Sequence, residues 1–164
     1  PSVICIQGNA GSRHFAVKNY GANNDQIDLL VNTTDPYDGC RPMDWFDDES
    51  STRLMVTGVG DWQIEIIPFD SIWGRSEHIA PIPTTIEGSG DNVVILVGSE
   101  KPDIAEIVGN ADGRHFAVHA WGQDGIDLLV NTTDPYEGTV LLSPSTLALE
   151  VVAHGDWTIE VRTQ

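Results

Sequence analysis

An acidic loop with the sequence Asn-Thr-Thr-Asp-Pro-Tyr-(Asp/Glu)-Gly occurs twice, at 32–39 and 131–138. Carboxylates together with backbone carbonyls are the ligands that Ca²⁺ takes in proteins. The candidate carboxylates are Asp35, Asp38, Asp134 and Glu137. The same loop is also good turn chemistry, because Asn and Asp accept local backbone hydrogen bonds, Pro fixes φ and Gly reverses the chain. Two interpretations therefore stay open, a calcium site and a plain turn.

Aromatic and basic residues beside these loops could contact a ligand. Each acidic loop contains a tyrosine, and each repeat has an Arg-His pair just before a phenylalanine. These candidates are Tyr37, Tyr136, Arg13, His14, Arg114 and His115. The basic pairs could form a polar binding site with the acidic loop. Alternatively, they have a structural role and bond across strands to Asp28 and Asp127.

Trp45 lies beside the acidic run Phe46–Glu49. An indole stacks on the apolar face of a sugar while carboxylates bond to the hydroxyls, so this pairing is typical of a glycan-binding surface. The alternative is that Trp45 fills an interface between the two halves of the chain. The sequence leaves both interpretations open.

Sequence motifs for catalysis are missing. The chain has no G-x-S-x-G, no P-loop, no G-x-G-x-x-G and no Cys–His zinc spacing. A glycosidase needs two carboxylates across a cleft, and no spacing here selects a pair. We therefore predict a protein that is not an enzyme and has no cofactor apart from the calcium considered above. A small hydrolase is the weakest alternative.

An internal repeat sets the organisation of the chain. Residues Ile27–Tyr37 recur unchanged as Ile126–Tyr136, Gly8–Val17 recur as Gly109–Val118 with two differences, and Gly60–Glu65 match Gly155–Glu160. The sequence therefore predicts two copies of one module. The predicted limits are 1–68 and 87–164, with a linker at 69–86.

Apolar residues alternate with polar ones within each copy, which indicates half-buried antiparallel strands. Trp62, Ile64 and Ile66 form one such series, and Trp157, Ile159 and Val161 form its counterpart. We predict that both tryptophans lie in the core and that Gly58–Asp61 forms a tight hairpin. Short strands separated by frequent turns predict an all-β fold, two homologous antiparallel β-sandwich modules in tandem.

The first copy lacks one strand that the second copy has. Pro1 aligns with Pro102, and the strand predicted at Asn92–Val97 has no counterpart in the first copy. We expect either that the parent chain continues upstream of Pro1 or that the other copy covers this edge. The absence of a signal peptide is in line with a fragment or a processed product.

Cys5 and Cys40 both lie in the first copy, where they align with the polar residues Glu106 and Thr139. Two such cysteines in a small module suit a disulfide in an oxidising compartment. Two unrelated reduced thiols are the alternative.

The charge balance excludes whole classes of partner. There are 8 Lys and Arg against 25 Asp and Glu, a net charge of −17. Nucleic acids and anionic membranes need clustered cations, so neither is predicted as a partner. No apolar run reaches the ~20 residues of a membrane helix, so no membrane insertion is predicted. The sequence does not indicate an oligomeric state.

Three stretches resemble secreted or surface-associated β-sandwich repeats of actinobacterial proteins. They are Gly88–Val94, His115–Val118 together with Asp127–Val140, and Gly155–Val161. More distantly, the style of strands and turns is similar to pre-peptidase C-terminal domains. Both resemblances imply a non-catalytic, secreted or cell-surface module that binds a glycan or a protein at the cell envelope. A spacer stiffened by calcium is the main alternative.

Overall fold

The computed structural model describes residues 1–46, 49–123 and 125–163. Nearly all regular structure in it is β-strand, which confirms the predicted all-β sandwich fold. The chain divides into two compact units, Pro1–Ser71 (unit 1) and Ile72–Gln164 (unit 2). No helix among the described residues is long and apolar enough to span a membrane.

Unit 1 consists of two three-stranded antiparallel sheets, in the orders β4-β1-β6 and β3-β2-β5. Its strands are β1 (Ser2–Gly8), β2 (Phe15–Tyr20), β3 (Gln26–Thr33), β4 (Tyr37–Met43), β5 (Arg53–Thr57) and β6 (Trp62–Pro68). Inward side chains from both sheets form one core around Phe15, Ile4 and Ile6. Phe15 and Val17 at the start of β2 are buried in this core.

Unit 2 has the same two sheets, each with additional strands, in the orders β13-β10-β15-β8 and β12-β11-β14-β9-β7. Its strands are β7 (Ile79–Pro81), β8 (Thr84–Ser89), β9 (Asn92–Val97), β10 (Pro102–Gly109), β11 (Phe116–Gly122), β12 (Gly125–Thr132), β13 (Tyr136–Leu141), β14 (Thr146–Val152) and β15 (Asp156–Thr163). All pairs are antiparallel except β7 with β9. Its core centres on Phe116, Trp157 and Ile159.

Strand pairing has the same register in both units where they correspond. Gly8 of β1 lies opposite Tyr37 and Trp62, and Gly109 of β10 lies opposite Tyr136 and Trp157. The β2–β3 and β11–β12 pairs both contain a bulge, after Val17 and Val118 respectively. The aligned sequence blocks therefore occupy equivalent strand positions.

Two features of the chain differ from a simple reading of its sequence. Gly58–Asp61 is not a hairpin, because β5 and β6 belong to different sheets and the turn carries the chain from one to the other. The segment 69–86, interpreted from the sequence as a linker, contains short 3-10 helices at Phe69–Gly74 and Ser76–His78, strand β7 and the start of β8. The module limits stay a prediction.

Candidate functional site

Asn9 holds together the two loops of unit 1 that contain the candidate residues. Its side-chain nitrogen donates to the carbonyls of Arg13 (2.6 Å) and Asp35 (2.8 Å), and its side-chain oxygen accepts from the Arg13 N–H (2.8 Å). Asn9 is buried and has a φ of 62°, a conformation that Asn adopts more readily than most residues. These hydrogen bonds fix the Arg-His loop against the acidic loop.

Asn110 has the same function in unit 2. It donates to the carbonyl of Asp134 and accepts from the Arg114 N–H, both at 2.8 Å, with a φ of 60°. Sequence reasoning missed both asparagines. The signal was the repeated Gly-Asn-Ala, because Asn is the residue that combines positive φ with local backbone hydrogen bonding.

The acidic loops contain the turn contacts expected from their composition. The Asp35 N–H donates to Oγ1 of Thr33 and the Asp134 N–H to Oγ1 of Thr132, both at 3.0 Å. Within the described part of the chain, no group of three Asp, Glu, His or Cys ligand atoms includes a carboxylate of either loop. The turn interpretation accounts for these contacts, and a calcium site at Asp35, Asp38, Asp134 and Glu137 stays a prediction.

The two Arg-His pairs lie exposed in the loops that precede β2 and β11. Nε2 of His14 lies 3.2 Å from Oδ1 of Asn32, so the cross-strand partner of His14 is Asn32 rather than the predicted Asp28. Ligand binding by Arg13, His14, Arg114 and His115 stays a prediction.

A groove of about 470 Å³ on unit 1 brings Tyr37 and Asp38 together with residues that sequence reasoning had not assigned to a site. Trp62, Asp61 and Gln63 come from β6 and the turn before it, and Gln7 comes from β1. Nε2 of Gln7 donates to Oδ2 of Asp38 at 3.0 Å. The exposed Trp62 and the half-buried Tyr37, flanked by acids and amides, form a surface that can stack on a sugar ring and bond to its hydroxyls.

Trp62 was predicted to lie in the core, and this prediction is wrong. Its side chain is 50% exposed, whereas Trp157, its counterpart in unit 2, is 3% exposed as predicted. The difference arises because β8 pairs with β15 in unit 2, and Gly88 lies directly against the Trp157 ring. Tyr136, the counterpart of Tyr37, packs on Phe116 with ring centroids 6.4 Å apart.

Trp45 packs edge-on against Phe69 at a centroid distance of 5.9 Å, and its backbone N–H donates to the Glu49 carboxylate. It does not line the groove of unit 1. Asp47 and Asp48, the other acids of the predicted glycan surface, lie outside the described residues. A role of Trp45 in ligand binding stays a prediction.

Cys5 and its counterpart Glu106 are each linked to a neighbouring strand, but to different strands of the sheet. In unit 1, Cys5 and Cys40 form a disulfide between β1 and β4. In unit 2, Arg162 of β15 contacts Glu106 (2.9 Å) and Glu160 (3.0 Å). The hydrogen bond that Arg162 donates to Glu160 and the charges of both carboxylates raise the pKa of Arg162.

Among the described residues of unit 2, Glu150 on β14 has a buried carboxylate. Its Oε2 accepts from Nε1 of Trp121 at 3.1 Å and lies 3.2 Å from Nδ1 of His119, its partner across the β11–β14 pair. Because a buried carboxylate is costly without partners, these contacts stabilise the charge. Sequence reasoning missed this cluster, since it depends on register across distant strands.

Exposed apolar residues mark the edge strands β3 and β12, which belong to the longest identical block of the repeat. Leu29 of β3 is 37% exposed, and Leu128, its counterpart on β12, is 56% exposed. Ile126 on β12 is also exposed. Unpaired edge strands with apolar side chains are surfaces on which another chain can add a strand.

Comparison with known proteins gives matches among solved structures but none to a family or to a curated protein. Among solved structures, the chain is similar to the pre-peptidase C-terminal domain of collagenase from Bacillus anthracis, with a TM-score of 0.39 and 19% identity. The match covers 52% of this chain and 93% of that one.

Proposed function

We propose that this chain is a non-catalytic binding module that acts outside the cell or at the cell envelope and holds a protein partner along its edge strands β3 and β12. The observation that carries the proposal is the exposure of Leu29 and Leu128 within a sequence that both units retain unchanged. The binding mode would be strand addition, in which main-chain hydrogen bonds give affinity and side-chain contacts give specificity.

Contacts within the units account for much of the identical block but not for these leucines. The buried Val31 and Val130 fill the cores, and the Thr33 and Thr132 hydroxyls accept the loop hydrogen bonds. An exposed leucine on an edge strand contributes little to a core and carries a risk of aggregation. Its presence at both edges therefore favours a binding role for these strands.

Two further properties support an extracellular location and a basic partner. A disulfide between cysteines suits an oxidising compartment such as the cell exterior. The net charge of −17 favours a partner segment with basic residues, because complementary charge accelerates association.

Selection from a library of random linear peptides on the immobilised chain tests the proposal. We expect peptides that combine basic and apolar residues, whose affinity the double variant Leu29→Ser/Leu128→Ser lowers about tenfold or more. Leu141→Ser is the matched control, because Leu141 is an exposed leucine of β13, in the other sheet. Selected peptides that bind the double variant as tightly as the original chain would contradict the proposal.

Glycan binding in the groove of unit 1 is the second candidate function, and the exposed Trp62 beside Tyr37, Asp38 and Asp61 favours it. Glycan-array binding should then be lost in Trp62→Ala and retained in Trp73→Ala, which removes another exposed indole. Trp45→Ala tests the surface predicted from the sequence. Array binding that is unaffected by Trp62→Ala would exclude the groove.

A further inference from the structure

The inner faces of the two units differ in how far their apolar residues are covered. The inward apolar residues of β5 and β6 are Leu54, Val56, Trp62, Ile64 and Ile66, and their counterparts in β14 and β15 are Leu149, Val151, Trp157, Ile159 and Val161. Every counterpart in unit 2 is buried, whereas none of the residues in unit 1 is. Ile66 is 47% exposed and Val161 is fully buried.

Residues 84–97 of unit 2 cause this difference. We call them the closing arch, because β8 joins one sheet beside β15 and β9 joins the other beside β14. Val94 and Leu96 belong to the core, and Ile86 packs against it. Gly88 lies opposite Trp157 with no room for a side chain, since a Cβ there would lie 2.2 Å from the ring.

The turn of the closing arch is held by three hydrogen bonds. Nε1 of Trp157 donates to the Gly90 carbonyl (2.9 Å), and the Ala153 N–H donates to Oδ1 of Asp91 (2.9 Å). The Gly90 N–H donates to the Gly155 carbonyl (3.1 Å). The arch is therefore recognised by an indole and by two backbone groups of the β14–β15 turn.

Unit 1 has the same kinds of hydrogen-bonding group at the positions that match those contacting the arch in unit 2. Trp62 replaces Trp157, and Gly58 and Gly60 replace Ala153 and Gly155. Across the described part of unit 1, β5 and β6 are each the last strand of their sheet, and the Trp62 side chain is half exposed. An open edge flanked by exposed apolar residues can accept an added strand.

We propose that unit 1 binds a β-arch segment with the chemistry of Thr84–Val97, that is, alternating apolar residues with a Gly-Ser-Gly-Asp turn. The arch places a glycine on Trp62, apolar residues over Leu54 and Ile64, and an aspartate on the Gly58 N–H. It lies at the opposite edge of the sheet from β3, so it is independent of the protein-binding strands proposed above, but it covers Trp62 and so excludes glycan binding in the groove of unit 1.

Fusion of a second copy of residues 84–101 ahead of Pro1 tests this proposal in the full chain. The copy carries Val93→Thr and Ile95→Thr, which make the face of its second strand that points away from the core more polar. Both side chains lie outside the core that the arch closes. Hydrogen exchange is followed by mass spectrometry, segment by segment. We expect exchange in β5 and β6 to slow about tenfold or more, with β14 and β15 unchanged.

Two variants of the copied segment serve as controls. Gly88→Val in the copy should abolish the protection of β5 and β6, because a side chain there clashes with the indole, and Asp91→Ala in the copy should reduce it in part. Unchanged exchange in the fused chain would overturn the proposal. So would equal protection by the Gly88→Val copy, since the fusion would then act without recognition of the arch.

The unfused chain provides an independent measurement. A synthetic peptide of residues 84–98 should slow hydrogen exchange in β5 and β6. It should also reduce acrylamide quenching of the Trp62 fluorescence, which is assigned as the part of the fluorescence that the Trp62→Phe variant lacks. Protection that instead rises with the concentration of the chain alone would show that a second copy covers this side, and would overturn the proposed occupant.

Discussion

Unit 1 and unit 2 share strand register, turn sequences and a buried asparagine that joins two loops, Asn9 or Asn110. They differ in how far the equivalent apolar residues of their strands are buried. Trp62 and Trp157 occupy equivalent positions, and only Trp157 has an arch beside it. The comparison shows that alternation specifies which face of a strand is apolar. Burial of that face depends on the segment that packs against it.

The units also differ in how their outer faces are linked. Unit 1 has a covalent bond between Cys5 and Cys40, whereas unit 2 has the ion pairs of Arg162 with Glu106 and Glu160. A disulfide restricts the unfolded chain, while an exposed ion pair contributes little because water screens it. The unit without an arch is thus the one with the covalent link.

The largest effect is expected from the two tryptophans. Trp157→Ala should lower the free energy of unfolding of unit 2 by about 4 kcal/mol, because it empties a buried site, whereas Trp62→Ala should cost unit 1 about 2 kcal/mol, because half of its side chain is already in solvent. Urea denaturation combined with segment-resolved hydrogen exchange measures both. Equal losses would mean that Trp62 is as well packed as Trp157.

Removal of the disulfide should have the next largest effect. The bridge joins residues separated by 35 positions, so Cys5→Ser/Cys40→Ser should destabilise unit 1 by about 3 kcal/mol through the entropy of the unfolded chain. The matched change in unit 2 is Glu106→Ala, for which the shift in thermal unfolding should be small. A larger shift for Glu106→Ala than for the cysteine variant would reverse the comparison.

Gly88→Ala tests the arch within unit 2. The added methyl group would overlap the buried Trp157 ring, so we expect a loss of about 2 kcal/mol in unfolding free energy. Gly74→Ala is the control, because nothing lies within 4 Å of a Cβ built there. If thermal melting gives the same result for both variants, the Gly88–Trp157 contact does not set the stability of the arch.

Replacement of Asn9 and of Asn110 should destabilise the two units to the same extent. Asn9→Ala and Asn110→Ala each remove buried hydrogen bonds at a positive φ, so each should cost about 1.5 kcal/mol. The exposed Asn23→Ala serves as the reference substitution. Clearly unequal losses in chemical denaturation would show that the two loops are held differently.

Calcium should have the smallest effect. Millimolar Ca²⁺ is expected to change the melting temperature by under about 1 °C, because the turn contacts already account for the acidic loops. A rise of several degrees that Asp35→Asn and Asp134→Asn abolish would instead support the calcium-stiffened spacer.

Prediction from sequence succeeded where a residue's environment is local. Alternation of apolar and polar residues located β6 and β15. The repeat aligned Cys5 with Glu106 and Cys40 with Thr139, and in the structure Cys5 lies opposite Cys40 just as Glu106 lies opposite Thr139. It failed at Trp62 and at the Gly58–Asp61 turn. Both depend on which sheet each strand joins, and strand order is a matter of long-range pairing.

The candidate site was predicted only in part. Tyr37 and Asp38 were singled out from their loop, but Trp62, Asp61 and Gln7 join them in the groove through pairing of β1 with β4 and β6. The contact of Glu150 with His119 and Trp121 likewise depends on the β11–β14 register. No spacing along the chain encodes such neighbours.

The amino-acid sequence by itself determined the all-β fold, the inward series of β15 and the turn chemistry of the duplicated loops, because these follow from periods and local hydrogen bonds within a few residues. The tertiary structure alone decided which of two equivalent tryptophans is buried, which strands are left as edges and which side chains meet in the groove. The reason is that burial and proximity depend on segments that are far apart in the chain. Their pairing cannot be predicted from the sequence around the residues that become buried.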